Sequence, residues 1–188
     1  SYQERRICLM PDAVNSLTSH GHRVMLESGA GMSASYTDKE YSDAGAEITN
    51  DTKKVLSCPM LLKVEPLTME EIKLVNAETI VISAIQLKTR KKEYFEALTK
   101  KKITALAFEY IKDEDGSYPA VKSLSEIAGT ASILIASELM INNQFGKGLL
   151  FGNITGVPPT DVVIIGAGTV GEFAAKTAVA LGANVKVF

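Results

Sequence analysis

The segment DVVIIGAGTVGEFAAKTAVALGANVKVF, residues 161–188, constrains this chain more than any other. An unbroken apolar run leads into Gly166, Gly168 and Gly171 in GxGxxG spacing, a helix-forming stretch follows, and a second run, ANVKVF, completes the unit within ~30 residues. In such a strand–turn–helix–strand unit each glycine has its own duty. Gly166 permits the tight turn, Gly168 lets the backbone approach a pyrophosphate, and Gly171 lets the helix lie close on the strand. Amides at the helix start then face the phosphates, aided by about half a positive charge from the helix dipole. The pattern predicts the first βαβ part of a dinucleotide-binding Rossmann domain, with Gly166, Ala167, Gly168, Thr169, Val170 and Gly171 as the cofactor loop. Beside it stands a plainer reading, a glycine turn that only joins strand to helix. The carboxylate that selects NAD over NADP belongs just past Phe188, so NAD is expected and NADP is not excluded.

Upstream, short apolar runs alternate with amphipathic helical stretches, the order of parallel strands with crossover helices. Strands are expected at RVMLES (23–28), PMLLKVE (59–65), TIVISAI (79–85) and ITALAFE (103–109). None shows polar alternation, so each is expected to be buried on both faces. Thr37 with Glu40, and Thr68 with Glu71, have capping-box spacing and mark two helix starts. The lysine-rich KTRKKEYFEALTKKK (88–102) places Tyr94, Ala97 and Leu98 on one face, which favours a solvated surface helix over a phosphate site. KDEDG (112–116) lacks the spaced ligands of a calcium loop and reads as a turn. From Ser125 a long helical run leads into a glycine- and proline-rich connection. The expected fold is therefore α/β: a Rossmann-like N-terminal domain with a parallel sheet over 1–126, a linking helix and connection over 127–160, and the start of the second Rossmann domain over 161–188.

Composition excludes little but is consistent with this. With 46% hydrophobic and 22% charged residues and a net charge of -2, broad attraction to nucleic acid or to an anionic membrane is not expected. Cys8 and Cys58, in apolar contexts with no CxxC spacing, read as buried thiols in a reducing compartment, and no metal site is expected. The most apolar stretch, Ala131–Ile141, carries Ser137 and Glu138 and is shorter than the ~18 apolar residues that span a bilayer. No signal-peptide pattern opens the chain, the expected location is cytoplasmic, and a start at Ser1 running into QERRICLMP reads as a start inside a longer sequence.

ERRICLMP, GHRVMLESGAG, DAGAEI, LLKVEP, LSEIAG and GNITGVPPTDVVIIGAGTVG occur in this order along nearly all of the 188 residues. Together they resemble the family of alanine dehydrogenases and the nucleotide-binding (alpha) subunits of nicotinamide nucleotide transhydrogenases, with LSEIAG nearer to the dehydrogenases. The resemblance implies a two-domain subunit with substrate and nucleotide in the cleft between domains, a small amino acid or 2-oxo acid as substrate, NAD as cofactor, and a homo-oligomer, commonly a hexamer. It also implies that a leading strand precedes Tyr2. Beyond Phe188 it implies the rest of the nucleotide sheet and a catalytic aspartate. The chain would then be a fragment, inactive alone and weak or silent in NAD binding.

Matching residue by residue, the resemblance gives a candidate catalytic set of Arg6, Lys63, Gln86 and Glu109, with Ser125 of LSEIAG as a further cofactor contact. Arg6 matches the arginine that holds the substrate carboxylate, a task suited to a planar guanidinium whose bonds to charged groups are worth ~1.5–3 kcal/mol each. A surface arginine beside Arg5 is the alternative. The family's second basic ligand lies in Lys-Val-Lys-Glu-Pro, whereas Lys63, Val64, Glu65 and Pro66 are one residue shorter; a site role and a plain ion pair both fit Lys63. Glu109 matches a family acid, with catalytic and structural roles both open. Where alanine dehydrogenases carry a histidine, this chain has Gln86, which can polarise a carbonyl but cannot move a proton. His20 and His22 lie in the turn SHGHR, so proton transfer would fall to Lys63, Glu109 or the absent aspartate. Three functions stay open: an NAD-dependent alanine dehydrogenase converting L-alanine reversibly to pyruvate and ammonia, a transhydrogenase nucleotide subunit, and a non-catalytic nucleotide-binding module.

Overall fold

The computed structural model describes residues 4–141, 144 and 146–188. The chain divides into two compact units, Ser1–Tyr110 and Ile111–Phe188.

In the first unit, α1 (Pro11–Ser19), β1 (Met25–Glu27), α2 (Asp38–Asp43), β2 (Glu47–Thr49) and α3 (Thr52–Leu56) are followed by β3 (Met60–Leu62), α4 (Met69–Leu74), β4 (Ile80–Ser83), α5 (Lys92–Lys100) and β5 (Thr104–Ala107). All pairings are parallel. β1 pairs β2 with Leu26 opposite Ile48, and β3, β4 and β5 form a second sheet in that order. Both capping boxes are present: Thr37 accepts from the Glu40 amide at the start of α2, and Thr68 accepts from the Glu71 amide at the start of α4. The lysine-rich segment forms α5, with Tyr94 and Leu98 buried and lysines outward. KDEDG is a turn closed by Gly116 N–H to Asp113 O at 2.9 Å.

Two apolar clusters hold this unit. One gathers Leu56, Leu61, Leu67, Ile72, Val75, Val81, Tyr94 and Leu98 beneath β3 and β4; the other gathers Val14, Tyr41, Ala44 and Ala46, with the Tyr41 hydroxyl donating to Leu9 O at 2.8 Å. The strands are not buried on both faces as their apolar runs suggest. In β3 only Leu61 is buried between exposed Met60 and Leu62, and in β5 Leu106 stays exposed, because the helices of this unit cover one side of the sheet. The cysteines also depart from expectation. Cys8 is exposed and Cys58 half-buried, both free, although desolvation around the Cys8 sulfur pushes its thiol up to about 11, which keeps it protonated and unreactive near neutral pH.

The second unit contains α6 (Pro119–Ile141), β6 (Asp161–Ile164), α7 (Thr169–Ala180) and β7 (Asn184–Val187). β6 and β7 are parallel, with Val162 opposite Val185, as a βαβ crossover requires. Ile133, Phe151, Ala174 and Ala178 form its core. α6 begins at Pro119, well before the apolar stretch that starts at Ala131, so by length and composition it is enough to cross a membrane. One side of it is nevertheless packed on protein: Gly129 and Ile133 are buried, while Ile127, Leu134, Ile135 and Leu139 are exposed.

Gly129 fixes the α6–α7 contact. A Cβ there would meet the Val170 carbonyl, with the Phe173 Cβ at 2.9 Å and the Ala174 nitrogen at 3.0 Å, all on α7. This gives the glycine of LSEIAG a packing duty. Gly129→Ala is expected to cost about 1–3 kcal/mol by overpacking, read as a lower urea midpoint with an unchanged slope; an unaltered midpoint would show that the helices separate freely.

Candidate functional site

Open parallel sheets bind ligands beyond the carboxyl ends of their strands. Lys63, Gln86 and Glu109 follow the ends of β3, β4 and β5, three neighbours in one sheet. The ladder continues past β3, with Lys63 N–H donating to Ile82 O at 3.0 Å and Ala84 N–H to Val64 O at 3.2 Å. The topology thus brings these three residues to one edge.

Glu109 and Gln86 touch directly. One Glu109 oxygen, Oε1, accepts from the Ile85 and Gln86 amides, both at 2.8 Å, while Oε2 is buried with no partner among the described residues. Gln86 has φ 55, a left-handed conformation that costs a non-glycine residue roughly 1–2 kcal/mol. Two charge-assisted bonds to its turn offset that strain. The buried Ser83 hydroxyl, also without a partner among the described residues, lies on β4 just before this turn.

Lys63 is already engaged. Its Nζ donates to both oxygens of Glu71, at 2.6 and 2.7 Å, with both side chains largely shielded from water. Glu71 also accepts from the Thr68 amide at 2.7 Å, so one carboxylate caps α4 and holds the lysine. Burial pushes the Glu71 carboxyl up, yet Lys63 and the Thr68 amide together hold it below the usual range. Arg6 is engaged as well. Its Nη2 and Nε donate to Glu4 at 2.6 and 2.8 Å, and the hydrogen bonds to Arg6 hold the Glu4 carboxyl down at about 2 against the opposing effect of burial. The charge of Glu65, two residues beyond Lys63, also acts on Arg6.

Glu4 and Glu71 are thus site partners that the sequence pattern alone does not reveal. Glu71 carried a signal, its capping spacing with Thr68, but nothing in an eight-residue separation announces the bond to Lys63. Glu4 offered only its place two residues before Arg6. His20, as expected, belongs to a turn: it follows α1, and its Nδ1 lies 2.7 Å from Ser16 O.

The glycine loop lies in the second unit. Gly166 has φ 111 and its amide donates to Phe188 O at 2.7 Å, which ties the turn to the end of β7. A Cβ on Gly171 would run into the Gly166 carbonyl, so α7 can start against this strand only with glycine there. Gly168 differs from both. It has φ -75, and a Cβ on it would meet nothing within 4 Å. Its lack of a side chain is therefore not needed for the fold and leaves open a space at the start of α7, where no side chain caps the helix. Ser125 sits one turn before Gly129 on α6, half-buried.

Parallel strands joined by crossover helices, with a glycine turn between β6 and α7, define an α/β protein of Rossmann-like class. More narrowly, the chain belongs to the alanine dehydrogenase/PNT family: the model of that family's N-terminal domain matches residues 1–128 and that of its C-terminal domain residues 132–188. It is 38% identical over 98% of its length to an alanine dehydrogenase of Methanococcus maripaludis and 36% identical over 98% to one of Bacillus subtilis, covering 49% and 48% of those proteins. Among solved structures, an L-alanine dehydrogenase superposes with a TM-score of 0.93 at 35% identity, over 99% of this chain and 51% of that one. A transhydrogenase from Sinorhizobium meliloti gives 0.84 at 26% identity, over 98% of this chain and 55% of that one. The chain spans about half the length of the curated relatives it matches.

The two carboxylate pairs set an acid response. Glu4 and Glu71 have folded-state values below the ordinary 4.5, so the stability they contribute is complete above about pH 4.5 and is lost as pH falls, for Glu4 toward about 2. A Glu4→Gln/Glu71→Gln variant should therefore show a shallower fall in urea midpoint across that window than the parent; identical slopes would mean the pairs do not form in solution.

Proposed function

We propose that the whole protein is a nicotinamide-dinucleotide-dependent oxidoreductase acting on a small amino acid and its 2-oxo acid, with L-alanine and pyruvate as the first pair to test and NAD as the first cofactor. The observation that carries this reading is Gly168, a glycine that the fold does not need, beside two that it does. Space for an anion at an uncapped helix start is what a diphosphate requires. Ala167, Gly168, Thr169, Val170 and Gly171 would hold that diphosphate through backbone amides, with Gly166 shaping the turn through its own bond to Phe188 O and Ser125 as a further contact. When bound, the nicotinamide ring accepts or returns the hydride of the substrate's alpha carbon.

The residues of the first unit supply binding and charge. Arg6 offers a carboxylate a planar pair of donors once Glu4 releases it, and Lys63 offers a second cation once Glu71 yields. Gln86 donates to a substrate oxygen without exchanging protons. Glu109 carries a carboxylate oxygen with no partner among the described residues, and as a base it would take a proton from the water that adds to the imine and return it to the leaving amine. A homo-oligomer is part of this reading, by analogy with the dehydrogenases.

Gln86 also favours a second reading, a transhydrogenase nucleotide subunit. Hydride passing between two nicotinamides needs no proton shuttle at that position, and the transhydrogenase likeness supports this. The whole protein incubated with NAD and L-alanine should produce NADH. Failure with a panel of amino acids, joined to hydride exchange between NADH and an NADP analogue on a membrane partner, would favour the second reading. Binding of NAD without turnover would leave a nucleotide-binding module.

The glycines separate ligand from fold. Gly168→Val should change the unfolding free energy of the whole protein by no more than about 0.5 kcal/mol while weakening NAD binding at least about tenfold by titration calorimetry, whereas Gly171→Ala should destabilise the fold. Equal NAD affinity in Gly168→Val and parent would remove the phosphate from this loop.

A further inference from the structure

We propose that Arg90 is a positioning residue that fixes the Gln86 amide as a hydrogen-bond donor toward the ligand. Arg90 Nη2 lies 3.3 Å from Gln86 Oε1. A guanidinium has donors and no acceptor, so the amide atom facing it must be the oxygen. The end that remains is Nε2 with its two protons, and among the described residues it donates to nothing.

Every other polar group of residue 86 is held. Its amide donates to Glu109 Oε1 at 2.8 Å, and its carbonyl accepts from the Thr89 amide and hydroxyl, both at 3.0 Å. Arg90 is itself placed by the ring of Tyr94, 5.5 Å from the guanidinium carbon, and Tyr94 is anchored in the core of the first unit. Tyr94 therefore holds Arg90, Arg90 holds the Gln86 side chain, and Glu109 holds its backbone. The result is a preset donor whose direction does not change with pH, in contrast to an imidazole that loses a proton near neutrality.

The chemistry that fits such a donor is an acceptor oxygen on a small anion. This part rests on the function proposed above, for which that oxygen belongs to the 2-oxo acid. With pyruvate, ammonia and NADH as substrates for the whole protein, Arg90→Met should raise the KM for pyruvate about tenfold, the effect of one aligned hydrogen bond, with the pH profile unchanged. Arg90→Lys should recover part of the loss. In a Gln86→Ala background Arg90→Met should add nothing, because its effect passes through the amide it orients. An additive effect in that background, or no effect alone, overturns the proposal.

A second measurement does not depend on turnover. In the 188-residue chain, the side-chain NH2 signals of Gln86, assigned by their loss in Gln86→Ala, should lie away from free-amide values and move to them in Arg90→Met. Unmoved signals overturn the proposal even if alanine is a substrate. Moved signals uphold the Arg90–Gln86 contact even if the protein turns over neither alanine nor pyruvate, in which case only the function proposed above fails.

Discussion

The second unit depends on a distance too short for a methyl group. Gly171 begins α7 directly against the Gly166 carbonyl, and Gly129 brings α6 against the same first turn of α7 at Val170. Both contacts are backbone or near-backbone, so neither can relax by turning a side chain aside. With the helix start held in this way, the amides of its first turn are fixed in direction before any ligand arrives, and preorganised donors lose little freedom on binding. Gly168 differs from both, since it has open space where a Cβ would stand and an ordinary φ of -75, so neither packing nor backbone conformation requires a glycine there.

The first unit works by a different rule, pairing of charge. Each cation that a carboxylate ligand would use already holds a carboxylate of the chain: Lys63 holds Glu71, and Arg6 holds Glu4. Internal partners keep these long side chains ordered and offset part of the cost of shielding each positive charge from water. They also set a threshold, since an incoming anion must compete with a carboxylate that is already in place. Glu109 stands apart because its partners are backbone amides and its second oxygen has none among the described residues.

Much of the fold was legible because parallel strands are short apolar runs between helices. Met60–Leu62, Ile80–Ser83 and Thr104–Ala107 fall inside the runs read as strands, and both threonine–glutamate caps lie where their spacing put them. β2 was not legible: Glu47, Ile48 and Thr49 offer one apolar residue, and its pairing with β1 defines it. The start of α6 was not legible because Pro119 through Ser125 mixes a proline and three scattered apolar residues with Lys122 and two serines, without a helical period. The edge that gathers Lys63, Gln86 and Glu109 was legible as three strand ends. The bonds between side chains were not, since Glu109 reaches Ile85 across 24 positions and Arg90 is hidden in a lysine-rich stretch that reads as solvated surface.

The central claim is that backbone amides at the start of α7 seat a dinucleotide's diphosphate. The most direct measurement is a crystal structure of the whole protein grown with NAD. Diphosphate oxygens should lie within hydrogen-bonding distance of the amides between Gly168 and Gly171, with no shift of Gly171 from the Gly166 carbonyl. A dinucleotide bound elsewhere, or a diphosphate held by side chains with these amides facing water, would contradict it.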